Sequence, residues 1–223
     1  MNFFKPKFWD KTEFSLFSLL LYPITLIIKL LTLLKLLLTK KTQCSIPVIC
    51  VGNIYLGGTG KTPLSIEICK ELTLKQFYPV ILRKFYKSHK DEYELIRSKK
   101  ISLILGKTRK ECLFKAVNSD FNIAVLDDGF QDFSIKCDKN IVCFNNSQLL
   151  GNGFLIPAGP LREDFKSIQR AHIIIINGEK NIEFEKRILN TNRNIKIFYS
   201  TYIPTNLDFF KDKKLLAFAG IGE

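Results

Sequence analysis

Gly57-Gly58-Thr59-Gly60-Lys61-Thr62 is the run in this sequence whose residue types most directly suggest chemistry. Glycines let the main chain approach phosphate oxygens and turn successive N–H groups inward, a lysine adds a point charge, and a threonine hydroxyl can ligate Mg²⁺. Ahead of the run lies Ile46-Pro47-Val48-Ile49-Cys50-Val51, a short β-branched stretch ending at Gly52-Asn53. Behind it, Leu64, Ile66, Ile68 and Leu72 recur at helical spacing before Phe77-Tyr78-Pro79. Strand, glycine loop and helix follow one another as a nucleoside triphosphate site requires. The strict G-x-x-x-x-G-K-[ST] pattern is not met, because its first glycine falls on Tyr55; Gly57 and Gly58 must supply the missing freedom. The plainer alternative is a glycine turn that opens a helix beside an incidental lysine.

A second candidate is Asp127-Asp128-Gly129-Phe130-Gln131, which follows the apolar run Phe121-Asn122-Ile123-Ala124-Val125-Leu126. A carboxylate at the carboxyl end of a parallel strand points into the crevice where a glycine loop holds phosphate, so Asp127 or Asp128 is expected to hold Mg²⁺ directly or through water. Without the loop, the same residues read equally well as an Asp-Gly turn.

These candidates need a scaffold, and composition bounds it. With 223 residues, 46% of them hydrophobic and 25% charged, the chain is neither a disordered tail nor a disulfide-stapled module. Its 34 Lys and Arg against 21 Asp and Glu leave +13, which favours an anionic partner: nucleic acid, an acidic membrane surface or a phosphorylated substrate. Six cysteines form no C-x-x-C pair and sit mostly in apolar runs, which reads as buried, reduced thiols rather than a zinc site.

Phe14 to Leu38 is predominantly apolar and as a helix would run roughly 37 Å, enough to cross a bilayer. Yet Ser15, Ser18, Tyr22, Thr25, Lys29, Thr32, Lys35 and Thr39 fall in one stripe, with leucines and isoleucines opposite. Lysines flank both ends, so neither end is marked for translocation, and no small-residue cleavage site follows. A one-sided anchor lying in the interface fits best; a true span and a helix buried within the protein are the alternatives. Pro23 is a place where it could kink.

The order of motifs is specific. An apolar amino-terminal helix, Val51-Gly52-Asn53 with the glycine loop, and Leu126 to Gln131 come first. Then follow Gly151-Asn152-Gly153, Ile156-Pro157-Ala158-Gly159-Pro160-Leu161-Arg162-Glu163, Ile176-Asn177-Gly178 and Leu216-Ala217-Phe218-Ala219-Gly220-Ile221-Gly222. Over nearly its whole length this sequence resembles the tetraacyldisaccharide 4′-kinases, the lipid A 4′-kinases. That resemblance implies transfer of the ATP γ-phosphate to the 4′-hydroxyl of an acylated glucosamine disaccharide 1-phosphate at the cytoplasmic face of the inner membrane, by a monotopic or single-span protein. It implies ATP and Mg²⁺ as cofactors and a lipid substrate and membrane surface as partners, with no nucleic acid.

Carried onto this sequence, the resemblance makes Gly57, Gly58, Thr59, Gly60, Lys61 and Thr62 the phosphate loop, with Thr62 and Asp127 at the metal. It makes Lys61, Asp128 and Arg162 catalytic and places Gln131, Glu163 and Asn177 around the nucleotide. Asp91, in Asp91-Glu92, aligns with an aspartate implicated as base toward the acceptor hydroxyl. Where the family has S-R-G-Y-G, this chain has Leu82-Arg83-Lys84-Phe85-Tyr86, keeping the arginine and losing the glycines. Read from the residues alone, Asp91 is a solvent-facing helix cap, and Arg162-Glu163 a surface pair at a helix start.

The expected architecture is α/β: a P-loop NTPase-like, mostly parallel sheet with helices on both faces, preceded by a membrane-associated helix. Strands are expected near 46–51, 79–83, 101–105, 121–126, 140–144, 172–177, 195–201 and 214–219, and helices near 63–75, 91–99, 108–118 and 162–170. Residues 1–41 read as the anchor and 42–223 as a kinase domain, incomplete because a strand into Gly220-Ile221-Gly222 needs a covering successor. The family's further lobe carries a histidine that neither His89 nor His172 matches. A membrane-docked P-loop ATPase or GTPase switch is the competing function. It lacks support in an Asn-Lys-x-Asp motif or an early lysine in the loop; a third reading is a non-catalytic membrane module that binds phosphate structurally.

Overall fold

The structure, a computed structural model, describes residues 5–10 and 15–203. Seven strands form one sheet: β1 (Val48–Gly52), β2 (Pro79–Lys84), β3 (Leu103–Gly106), β4 (Ile123–Asp127), β5 (Lys139–Asn145), β6 (Ile173–Asn177) and β7 (Lys196–Ser200). Their order is β3-β2-β4-β1-β5-β6-β7, and every neighbouring pair is parallel. Such strands are buried on both faces, which is why they read as continuous apolar runs.

Alternate residues serve the two faces. Val48 and Cys50 of β1 and Ala124 and Leu126 of β4 join Leu113 of α4 (Arg109–Val117) and Phe184 and Ile188 of α5 (Ile182–Thr191). Val51 and Val125 pack instead with Ile66 and Cys69 of α2 (Lys61–Leu74) and Ile96 of α3 (Lys90–Ser98). The expected doubly covered parallel sheet is what forms. Since β1 is flanked by β4 on one side and β5 on the other, the loop after β1 stands over a crevice between diverging connections, the natural ligand site of such sheets.

Helix α1 (Leu16–Leu38) continues through Pro23. Its polar stripe faces inward. Thr25 Oγ1 donates to the Leu155 carbonyl at 3.2 Å and accepts from the Ala158 N–H at 3.3 Å, Lys29 pairs with Asp164 at 2.7 Å, and Asn152 donates to the Ser18 hydroxyl at 3.2 Å. The leucine face is turned outward, with Leu20 74% and Leu31 59% exposed. Asn152 also donates to the Phe8 and Ala158 carbonyls, so the Gly-Asn-Gly motif fastens the amino-terminal segment to the body.

Two elements differ from expectation. The helix expected near 162–170 is a single 3₁₀ stretch, Phe165–Arg170, because Arg162 and Glu163 are drawn into side-chain bonds of the site and Asp164 caps the turn through the Lys166 N–H. Helix α5 was not expected; Asn181 caps it by accepting from the Phe184 N–H, and Glu183 and Glu185 suit its first turn. The strand expected near 214–219 lies outside the described residues.

Candidate active site

Helix α2 begins at Lys61 directly after the loop, with Gly60 as its cap at φ +83°, a left-handed conformation natural to glycine. Gly52 is required for a different reason: a side chain there would meet Phe130 Cβ at 2.5 Å, where the Asp-Asp-Gly-Phe-Gln segment crosses the end of β1. The glycine missing at Tyr55 is replaced by a side-chain brace. Asn53, fully buried, donates to the Tyr55 carbonyl (2.6 Å), the Gly57 carbonyl (3.3 Å) and the Thr59 hydroxyl (3.0 Å), holding the loop from within. Tyr55 is itself buried and forms an antiparallel bridge with Leu161, and the Arg162 N–H donates to the Ile54 carbonyl at 2.7 Å. That pairing delivers Arg162 to the site.

Where α2 starts, Thr62 Oγ1 donates to Asp127 Oδ2 at 2.9 Å, and Ser65 donates to the other carboxylate oxygen at 3.2 Å. Arg83, from β2, lies 3.2 Å from Asp127 and also pairs with Glu92, whose carboxylate accepts from Thr62 at 3.4 Å. Asp127 is completely buried, and that burial pushes its carboxyl above the usual range despite the nearby Arg83 and Lys61. Asp128 behaves oppositely: burial works against its charge, but Lys61, Arg162, Arg109 and Arg83 together hold it below the usual range. Lys61 stands 3.6 Å from its carboxylate and Arg162 2.9 Å. The backbone of Asp128 is left-handed at φ +56°, and Arg109 clamps it by donating to its carbonyl while pairing with Asp132 at 3.5 Å.

Gln131 donates to the Asn53 carbonyl at 2.8 Å and to Glu163 at 3.1 Å, and Arg170 anchors Glu163 at 2.8 Å. Asn177, at the end of β6, sets its amide against Gly60, 3.4 Å from where a side chain there would begin. The structure therefore gathers these residues into two bonded sets, Thr62 with Asp127 and Lys61 with Asp128, Arg162, Gln131 and Glu163, which adjoin at the neighbouring residues 61/62 and 127/128, with Asn177 on the far side of the loop. Asp91 is not joined to it. It is exposed in the first turn of α3, and its neighbour Glu92 makes the contact instead. Residue patterns did not assign Arg83, Glu92, Arg109 and Asn53 to the site; Arg83, Glu92 and Asn53 stood within noted motifs, and only Arg109 left no local signal.

The donors present fit a hard divalent cation. Thr62 and Asp127 offer oxygens side by side at the foot of a phosphate loop, the set Mg²⁺ takes when phosphate and water complete its shell. Among the described residues no cluster of three His, Cys, Asp or Glu side chains is placed to hold a metal by itself. The cysteines are free thiols, and burial pushes Cys69 and Cys143 up to about 12, so neither is a ready nucleophile.

The family profile described as tetraacyldisaccharide-1-P 4′-kinase matches residues 17–223. The chain belongs to this family. The tetraacyldisaccharide 4′-kinase of Pelagibacter ubique (strain HTCC1062) is 42% identical over 225 residues, covering 100% of this chain and 71% of its own length. That of Rickettsia akari (strain Hartford) is 34% identical over 233 residues, covering 97% of this chain and 70% of its own. The crystal structure of the kinase LpxK from Aquifex aeolicus, in complex with ATP, shares the fold with a TM-score of 0.62 at 20% identity, covering 89% of this chain and 85% of that one. Membership in the 4′-kinase family makes this chain an ATP-dependent kinase, and the P-loop fold expected from sequence is confirmed.

Proposed function

We propose that this chain transfers the γ-phosphate of ATP to the 4′-hydroxyl of a tetraacyl glucosamine disaccharide 1-phosphate, a step of lipid A synthesis, at the cytoplasmic face of the inner membrane. The observation that carries the reading is the 2.9 Å contact between Thr62 of the phosphate loop and Asp127 of β4, with Lys61 and Arg162 converging on Asp128 beside it. Phosphoryl transfer asks mainly for alignment and for positive charge over the transferring oxygens. Backbone N–H groups of Gly57 to Gly60 and the amino-terminal start of α2 suit the phosphates of ATP, and Lys61 and Arg162 supply charge where the γ-phosphate must lie. Mg²⁺, held by Thr62 and Asp127, would neutralise charge building on the phosphate oxygens.

Arg83 and Ser65 fix the Asp127 carboxylate, while Arg109 fixes the main chain of Asp128. Gln131, Glu163 and Asn177 border the loop that holds the nucleotide. Asp91 is assigned as the base toward the acceptor hydroxyl: its exposed position leaves it open to an acceptor arriving from outside, whereas Glu92 is spent on Arg83 and Thr62.

Residues 1–41 serve as the membrane-docking segment and 42–223 as the catalytic unit. Mean hydropathy of 2.1 over α1, with its leucine face outward, supports insertion into one leaflet, and the inward polar stripe makes a one-sided seat the better reading than a span. The decisive experiment measures transfer of labelled γ-phosphate to a tetraacyl disaccharide 1-phosphate in mixed micelles. Lys61→Ala is expected to lower kcat about 10²-fold or more. ATP hydrolysis with no acceptor phosphorylation by the parent would instead favour a membrane-docked nucleotide switch.

A further inference from the structure

Helix α4 has two unlike sides. Cys112, Leu113 and Ala116 are buried, and Thr108 caps the first turn by accepting from the Glu111 N–H. Lys110, Phe114 and Val117, at i, i+4 and i+7, share the outer side. Phe114 is 70% exposed and Val117 36%, while Glu111 and Lys115 on the flank pair with each other at 2.7 Å. One exposed ring needs no explanation by itself; its place in the molecule gives this one a meaning.

Lys107 and Lys110, around the start of α4, and Lys35, near the end of α1, line one cleft of about 550 Å³ that reaches Asp128. Among the described residues none of these three lysines has a carboxylate within ion-pairing distance. Along the same stretch of α1, Leu34, Leu37 and Leu38 are exposed. Two helices therefore border one cleft, each with apolar side chains in solvent and lysines lining the space they share.

That composition suits a bilayer better than a protein. Protein interfaces are depleted of lysine at their core, because a long side chain must be ordered and its charge desolvated there. In a leaflet the ring enters the boundary below the headgroups while the ammonium groups reach up to lipid phosphate. Geometry adds a reason for a second contact. A helix lying alone in a leaflet leaves the attached body free to turn about the helix axis, and a further contact across the cleft removes that freedom.

We propose that α4 is a second membrane contact: Phe114 and Val117 enter the headgroup boundary of an anionic leaflet, Lys107 and Lys110 meet its lipid phosphates, and together with α1 they hold the mouth of the cleft against the bilayer. This rests on the docking of α1 proposed above.

The chain's one tryptophan, Trp9, is buried, so Phe114→Trp adds a single exposed reporter to the full chain. Its emission, less that of the parent, is measured on vesicles of phosphatidylcholine and phosphatidylglycerol with and without bromine on the acyl chains, and sedimentation gives the bound fraction. A blue shift and quenching by the brominated lipid are expected. Phe114→Glu should weaken vesicle binding roughly tenfold. The Lys107→Ala, Lys110→Ala double variant should lose about tenfold or more on the anionic vesicles and hardly change on phosphatidylcholine alone, with circular dichroism confirming the fold of each variant. Unquenched emission from protein that sediments with the vesicles overturns the proposal and leaves α1 as the anchor, and so does unchanged binding by Phe114→Glu. A parent that binds no vesicle overturns both readings. Self-association in solution that Phe114→Glu abolishes would assign this face to a second copy of the chain and overturn the proposal too.

Discussion

Asp127 is a carboxylate kept where its charge is disfavoured: burial raises its pKa, and Arg83 and Lys61 offset that incompletely. A carboxyl whose folded pKa lies above its unfolded one contributes to stability at low pH, when protonated, and loses that contribution as pH rises through the folded value. Asp127→Asn is therefore expected to raise the melting temperature of the nucleotide-free protein near pH 8 while lowering kcat about 10²-fold or more; an unchanged or lower melting temperature would remove the argument from burial. Asp128 runs the other way, its stabilising charge being lost as pH falls through its depressed value. For Asp91, the base reading predicts that Asp91→Asn lowers kcat by about 10²-fold with nucleotide affinity little changed, measured by steady-state kinetics beside a nucleotide-binding titration. An unaltered rate would return it to an exposed first-turn residue of α3. Lys61, Thr62 and Asp127 were legible in the sequence because main-chain pattern alone identifies a phosphate loop and a strand-end carboxylate. Arg83, Glu92 and Arg109 were not, because their contacts join segments brought together only by sheet order: Arg83 meets Asp127 because β2 pairs with β4.

At the scale of elements, the apolar strands, the glycine loop and the two faces of α1 could be read directly, while the partners of its polar face could not. An isolated amphipathic helix would turn Ser18, Thr25 and Lys29 toward water; here those residues bond to the 152–164 region and the leucines are left outside. Buried hydroxyls need partners, and the carbonyl and N–H of the Leu155 to Ala158 segment supply them. Introducing charge on the outer face, with Leu20→Glu and Leu31→Glu, should reduce partitioning onto lipid vesicles by about tenfold or more in a sedimentation assay while leaving far-ultraviolet circular dichroism unchanged. Undiminished partitioning would move the docking surface elsewhere. Helix α5 escaped notice because its apolar contribution is essentially Phe184 and Ile188, too sparse a pattern for a period to register. The segment after Arg162 was misjudged for the opposite reason: helix-forming residues are diverted by Glu163 and Asp164 into bonds with Gln131 and Lys29.

For the whole molecule, the +13 charge favours an anionic partner, and the fold gathers Lys35, Lys84, Lys107 and Lys110 around one cleft beside the site. Binding to vesicles rich in anionic lipid should weaken as salt rises from about 0.1 M to about 0.5 M, whereas binding to neutral vesicles, driven by α1, should hardly change; equal salt sensitivity on both would argue against separate electrostatic and apolar contributions. Lys35 connects the two. It belongs to the helix whose outer face is leucine, and it also lines the cleft that reaches Asp128. On the docking proposed above, a substrate whose chains stay in the leaflet would reach the phosphate loop by sliding sideways past this helix, without leaving the bilayer. Encounter would then be a search in two dimensions, and the quantity expected to set the rate is the substrate's share of the surrounding lipid, not its amount per unit volume.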